Sequence, residues 1–406
     1  MHERNPNSFA MPREQFLSWR FVTARSSLSP QGGSRDGARE LSFFWARNAL
    51  FHALRVLAIA PSARVLIPAY VCKAAVEPFE AYGMHIDFYN IRRDCTPDFD
   101  EIEAKIRPDT SAVLAVHYFG FPQRIQEFRN LCDTRNLLLF EDCAHVLRGA
   151  IAGQSLGSFG DASVFSYRKF LPMFDGAELL LRDSEHKLPA DSSLEHSRFS
   201  SQAARHIVGQ ALESSDGAAA RLLSAGISLA KRVRSGPQSP SQPPAVPVAV
   251  DNNSASFDTT VVNQPMSAPS RWVLRHADVT KVIARRRENF QFLHEQLQDI
   301  PGITPLVRTL GEGVCPWIYP VTFDGVPHAH LQLRAVGVPA VTWGGVRPQN
   351  VSRNEFSDAD FLYDNLLFLP IHQNLSRNQL RAMADTMKRV RMGTRQPTRE
   401  RVPVAS

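Results

Sequence analysis

Two short runs carry side chains whose types and spacing could do chemistry. The first is Leu138-Leu139-Phe140-Glu141-Asp142-Cys143-Ala144-His145. An apolar strand runs straight into two carboxylates. A carboxylate at a strand end can keep a ring nitrogen beside it protonated, which makes that ring an electron sink. Taken alone, Asp142 reads more simply as a helix N-cap. The second run begins at Gly157-Ser158-Phe159-Gly160-Asp161 and continues through an apolar strand. It then reads Phe165-Ser166-Tyr167-Arg168-Lys169-Phe170-Leu171-Pro172, with Asp175-Gly176 following. A lysine just after a strand, in a turn closed by proline and glycine, is set in a partly desolvated crevice. Desolvation and nearby cations free such an amine for imine chemistry. Ser166 could bond a phosphate, and Gly176 would let backbone approach it. A lone lysine is otherwise a solvated surface charge.

Both runs need elements to hold them. From about residue 42 short apolar strands alternate with helical patterns. The spacing predicts helices over 48–58, 73–82, 100–106 and 125–135, and strands over 64–68, 85–91, 112–117, 137–141, 162–166 and 178–181. Crossover helices between strands give a mainly parallel α/β sheet covered on both faces, with ligands bound beyond the strand ends. The pattern changes after Asp183. Residues 185–235 are rich in Ser, Ala and Arg, with a helix expected over 218–233. Residues 236–247 are proline-rich and cannot form regular helix or central strand. Alternation resumes with a long helix from 273 to 297, strands over 317–323 and 366–369, and helices over 331–336 and 377–390. The expected organisation is a disordered arm to residue 40, a large domain over 41–235, a Pro/Ser-rich insertion over 236–268, a small C-terminal α+β domain over 269–392, and a disordered tail over 393–406.

Composition excludes several classes. The chain has 406 residues, 43% hydrophobic and 21% charged, which is ordinary for a globular protein. The net charge of +6 is modest for this length, and no helix-turn-helix, zinc or RNP pattern accompanies it, so no nucleic acid is expected. Five scattered cysteines argue against a disulfide framework or zinc site, and suit a reducing cytoplasm. The N-terminus has no apolar signal core, and residues 41–60 are too polar to span a bilayer, so no membrane partner is expected either.

Together the runs EDCAH, GSFGD, FSxxK and DG resemble the DegT–DnrJ–StrS family of sugar aminotransferases, which depend on pyridoxal 5′-phosphate (PLP). Trp45-Ala46-Arg47-Asn48-Ala49-Leu50 falls where that family has its phosphate turn. Val65-Leu66-Ile67-Pro68-Ala69-Tyr70, Val116-His117-Tyr118-Phe119-Gly120 and Leu369-Pro370-Ile371-His372 match three further motifs. The order is kept over about 42–183 and 270–390. The resemblance implies the PLP-transferase fold type I, like that of aspartate aminotransferase. Lys169 would hold the cofactor as a Schiff base and shuttle the proton. Asp142 would pair with the pyridine nitrogen, and His145 would sit by the ring or its 3′-oxygen. Ser166, Ala46 and Arg47 would hold the phosphate, and Tyr70 is the candidate to stack on the ring. His117 either faces the pocket or is structural.

The resemblance further implies transfer of an amino group, from an amino acid such as glutamate, to a keto sugar, nucleotide-linked, in polysaccharide or secondary-metabolite biosynthesis. It also implies a homodimer. This sequence departs from the pattern in four places, one of them a shorter loop from Ser166 to Lys169. Trp45-Ala46-Arg47 replaces small residues, Ala177 replaces the second glycine of a pair, and the segment a dimer partner usually contributes is not recognisable. Asn263 and Met266-Ser267 lie near its place. These departures motivate the alternative of a catalytically altered PLP-fold protein with a regulatory or assembly role.

Overall fold

Leu-, Val- and Ala-rich runs form the centre of the molecule, as strands of one sheet. In the computed structural model, described for residues 14–23, 39–183, 185, 186, 188, 197–213, 257–326 and 328–393, this sheet has seven strands. They are β1 (Arg39–Phe43), β2 (Arg64–Pro68), β3 (His85–Tyr89), β4 (Thr110–Val116), β5 (Leu138–Cys143), β8 (Ala162–Ser166) and β9 (Ala177–Leu181), with a small hairpin, β6 (Ala150–Ile151) and β7 (Gln154–Ser155), inserted before β8. The spatial order is β1-β9-β8-β5-β4-β2-β3. Neighbours from β8 to β3 pair in parallel, and β9 runs against both its neighbours. Strand β4 reads Thr-Ser-Ala-Val-Leu-Ala-Val and is buried at nearly every position, as a strand covered on both faces must be.

The covering helices include α1 (Ala46–Val56), α2 (Lys73–Tyr82), α3 (Phe99–Ala104) and α4 (Ile125–Arg135). Helix α2 ends on Gly83 at φ 93°, a left-handed cap that glycine adopts without strain. Helix α5 (Ser200–Glu213) follows the sheet. The chain then returns through α6 (Ala268–His276) and α7 (Val279–Leu297) to a three-stranded antiparallel sheet of β10 (Ile303–Pro305), β11 (Ile318–Phe323) and β12 (Leu366–Pro370). Helices α8 (Ala329–Ala335), α9 (Ser357–Asn365) and α10 (Arg377–Gly393) complete it. A second hydrophobic core joins Phe290, Leu293, Tyr319, Val321, Leu367, Leu380 and Met383 from α7, α10 and this sheet.

Several expectations change. The helix predicted over 273–297 is two helices, because Ala277 is extended and the Asp278 side chain accepts the Lys281 N–H at 3.0 Å, capping α7 afresh. Residues 39–43, split between the expected arm and the start of the large domain, form strand β1, because Leu41 and Phe43 pair with β9. Within the arm, residues 14–23 pack against the fold: Val22 bridges Ala277 and the Phe16 N–H donates to Asn374. Helices α5 and α9 are not among those the spacing predicts. The rest of the arm, the helix expected over 218–233, the proline-rich stretch and residues 394–406 lie outside the described residues.

Candidate active site

Glu141 and Asp142 are adjacent on β5, so their side chains leave opposite faces of the sheet. Glu141 is buried and carries no free lone pair for a ligand. Its carboxylate takes the backbone N–H groups of Phe159 and Gly160 at 3.0 Å and that of Gly157, with the Ser163 hydroxyl at 3.3 Å. His117 Nε2 lies 2.9 Å away. The Gln123 N–H points at His117 Nδ1, so that nitrogen is the acceptor and Nε2–H donates to Glu141. His117 is therefore structural. Burial raises the Glu141 pKa, but the His117 hydrogen bond and the loop amides outweigh it, and the carboxyl ends below its ordinary value. The Gly157–Asp161 run is thus a loop folded around one carboxylate, with Asp161 tied to Arg129 at 2.9 Å.

Asp142 points the other way. It is not a helix N-cap but lies within the strand, and its Oδ1 accepts the Ala144 N–H at 2.8 Å. Burial raises its pKa, opposed by the positive charge of Lys169. His145 lies three residues on, stacked between Trp317 at 4.4 Å and Phe119 at 5.8 Å. Burial, and secondarily Lys169, hold it well below the usual imidazole range, so it is neutral. Its Nδ1 faces the Phe119 N–H at 3.4 Å, which leaves the proton on Nε2. That buried Nε2 has no hydrogen-bond partner among the described residues.

Lys169 ends a short 3-10 turn, Tyr167–Lys169, directly after β8. Its Nζ lies over the Trp317 ring, 4.9 Å from the centroid. Asp142, Ala144, His145, Ser166 and Lys169 line one crevice, and Trp45, Ala46 and Arg47 line its other side. No side chain caps the N-terminus of α1 at Trp45. Its first-turn amides, the Arg47 guanidinium and the Ser166 hydroxyl form a setting for an anion. Arg47 also meets Glu77 at 3.5 Å and lies over Trp45 at 4.2 Å. A wider cleft of about 500 Å³ opens on the other side of Lys169. Arg168, Arg334 and His372 line it, with Glu14 the one carboxylate among the described lining residues; Arg286 also borders it but is 1% exposed, its guanidinium turned to backbone carbonyls.

The structure thus gathers Ala46, Arg47, Asp142, His145, Ser166 and Lys169 at one crevice. It does not bring Tyr70 there. Tyr70 is fully buried among Tyr118, Trp343 and Tyr363, because the chain turns after β2 and sends this ring into the aromatic core. Val71 and Cys72 line the crevice in its place. Trp317 and Trp343 were not anticipated. They come from the C-terminal half, and no local pattern marks a residue that reaches a site by tertiary packing alone.

Comparison with known proteins finds likeness to one family and to one fold. Residues 44–224 match the model of the DegT/DnrJ/EryC1/StrS aminotransferase family. Over 120 residues the chain is 35% identical to a GDP-perosamine synthase of Vibrio cholerae, covering 29% of this chain and 33% of that one. Over 140 residues it is 31% identical to a dTDP-4-dehydro-2,3,6-trideoxy-D-glucose 4-aminotransferase of Saccharopolyspora spinosa, covering 34% and 36%. The match spans about a third of the length of these relatives. Likeness in fold extends further. The aminotransferase TlmJ of Streptoalloteichus hindustanus superposes with a TM-score of 0.61 at 20% identity, covering 90% of this chain and 87% of that one. PseC of Helicobacter pylori, an aminotransferase of pseudaminic acid biosynthesis, gives 0.60 at 16%, covering 87% of each. The fold is the PLP-transferase type I α/β fold. Residues 44–224, which carry β2 to β9, Asp142 and Lys169, are thus similar to the DegT/DnrJ/EryC1/StrS aminotransferase family.

Proposed function

We propose that this protein is a PLP-dependent aminotransferase that moves an amino group from an amino acid, with glutamate the proposed donor, to a nucleotide-linked keto sugar. The observation that carries the reading is the convergence of Asp142, His145, Ser166 and Lys169 on one crevice, facing the uncapped start of α1. These residues fit the cofactor. The buried, unpartnered Nε2–H of His145 suits a ring oxygen. The buried Asp142 carboxylate suits a protonated ring nitrogen. Ser166, Arg47 and the α1 amides suit a phosphate.

When bound, PLP supplies an electron-withdrawing ring and a carbonyl carbon that exchanges amines. The chain's own residues do the rest. Asp142 holds a proton on the ring nitrogen. His145 donates from Nε2 and fixes the ring's orientation. Lys169 Nζ would hold the group, and it is the side chain placed to move the proton. The cationic cleft beside Lys169 favours anionic substrates such as a dicarboxylic amino acid and a sugar diphosphate. The named activities of the relatives, all on nucleotide-linked sugars, support the substrate class. A homodimer in the cytoplasm, serving polysaccharide or secondary-metabolite synthesis, belongs to the same proposal. Among the described residues no helix is long and apolar enough to cross a membrane.

The test is spectroscopic. Purified protein incubated with PLP should show a visible band that shifts when glutamate is added and returns with a keto-sugar nucleotide. Lys169→Ala should abolish the band. A protein that stays colourless with added PLP would overturn the reading in favour of a regulatory or assembly role.

A further inference from the structure

The turn that carries Lys169 is held from outside at each of four consecutive carbonyl groups. Arg286 on α7 donates Nη2 to the Lys169 and Phe170 carbonyls, both at 3.4 Å. Gln373, just past β12, donates Nε2 to the Phe170 carbonyl at 2.9 Å. Gln15, in the N-terminal segment, donates Nε2 to the carbonyls of Arg168 at 2.6 Å and Leu171 at 3.1 Å. Arg286 is the centre of this arrangement. Its Nε donates to Gln373 Oε1 at 3.1 Å, and its Nη1 to the Trp317 carbonyl at 2.8 Å. So one guanidinium ties the lysine turn to the peptide of the tryptophan over which the lysine amine lies. Its plane also lies over the Phe170 ring at 4.9 Å.

The chemistry of Arg286 is unusual for a merely structural residue. It is 1% exposed, and the hydrogen bonds drawn by its guanidinium run to carbonyl groups and an amide, not to a carboxylate. Burying a cation without a carboxylate is costly, and an apolar residue of the same volume would commonly serve stability as well. A planar fork with five fixed N–H donors is, however, the side chain that can bind several carbonyls in one fixed geometry. Lysine offers a point charge and cannot span them.

We propose that Arg286 is a positioning residue for Lys169: it fixes the backbone of the lysine turn against the Trp317 strand, with Gln373 and Gln15 completing the clamp. It sets where the amine can travel between cofactor and substrate without touching the reacting atoms. This rests on the reading of Lys169 as the cofactor lysine.

The test compares wild type, Arg286→Lys and Arg286→Ala, first without cofactor and then loaded with PLP. Amide hydrogen exchange on unloaded protein should show the 167–173 peptide exchanging at least tenfold faster in Arg286→Lys, with the β4 and β5 peptides unchanged. In the loaded protein kcat should fall at least tenfold with KM for glutamate within twofold, and ethylguanidinium should restore part of the kcat of Arg286→Ala. A folded Arg286→Lys protein with wild-type exchange in 167–173, or with wild-type kcat, overturns the clamp. If wild type forms no visible band with PLP, the cofactor reading fails and the clamp falls with it. A normal wild-type band beside an unaffected Arg286→Lys variant removes the clamp alone.

Discussion

Glu141 and Asp142 are chain neighbours with opposite roles, and their chemistry follows from the face each occupies. Glu141 is a folding group. Its carboxyl, lowered below its ordinary value, favours the native state while ionised. The stability it contributes is present above the ordinary carboxyl range and is lost as pH falls through its lowered value. Glu141→Gln places an NH2 against several backbone donors, and should cost about 2–4 kcal/mol at pH 7 by urea denaturation. The difference from wild type should narrow on acidification. A gap that stays constant down to pH 3 would show that ionisation is not what binds the loop. Asp142 keeps its carboxylate for the crevice, and His145 keeps one N–H there. Arg47 is shared, since Glu77 and Trp45 hold it beside the place where it would meet an anion.

At the scale of elements, the strand ends are what bring these groups together. Asp142 lies one residue before the end of β5, Ser166 ends β8, and the Lys169 turn follows at once. Parallel pairing of β5 with β8 sets both ends at the same edge of the sheet. The turn after β4 then joins this edge to the C-terminal half. Gly120 there has φ 94°, and a Cβ on it would overlap the Cys315 carbonyl oxygen and come within 3.2 Å of the Trp317 N–H. The Trp317 N–H itself donates to the Phe119 carbonyl at 2.8 Å. Gly120→Ala should therefore cost about 3 kcal/mol or more, from strain and backbone overlap together. Chemical denaturation measures it, and a loss under about 1 kcal/mol would mean the approach is looser than the structure shows. The runs at 64–68, 73–82, 125–135 and 162–166 were legible to the residue, because the first three are short apolar or amphipathic segments ended by Pro68, Gly83 and Asn136, and the fourth is an apolar run opened by Gly160-Asp161. Strand β1 was not, since a five-residue edge strand takes its register from β9 rather than from its own alternation.

Across the whole molecule, the two halves meet through single side chains of large sequence separation. Tyr363 on α9 accepts the Val71 N–H at 2.9 Å, and its hydroxyl lies 2.7 Å from the Val71 carbonyl. It pins the loop that brings Val71 and Cys72 to the crevice. Tyr363→Phe leaves buried backbone groups unsatisfied and should destabilise the protein by about 1–3 kcal/mol in thermal or urea unfolding. The crevice should loosen with it, read as weaker PLP retention on dialysis. Full retention and full stability would show that the loop is held by other contacts.

The sequence by itself determined the alternation of strands and helices, and with it the sheet edge where Asp142 and Lys169 must lie. Local patterns suffice for that, because strand period, helix period and turn chemistry are properties of neighbouring residues. The same order of motifs carried the resemblance to a family. Only the tertiary structure decided which residues complete the site. It withdrew Tyr70 into the aromatic core, assigned Glu141 and His117 to folding, and brought Trp317, Arg286 and Gln373 to the lysine turn from more than a hundred positions away. Those choices depend on burial and on hydrogen bonds between distant backbone groups, which no window of sequence contains.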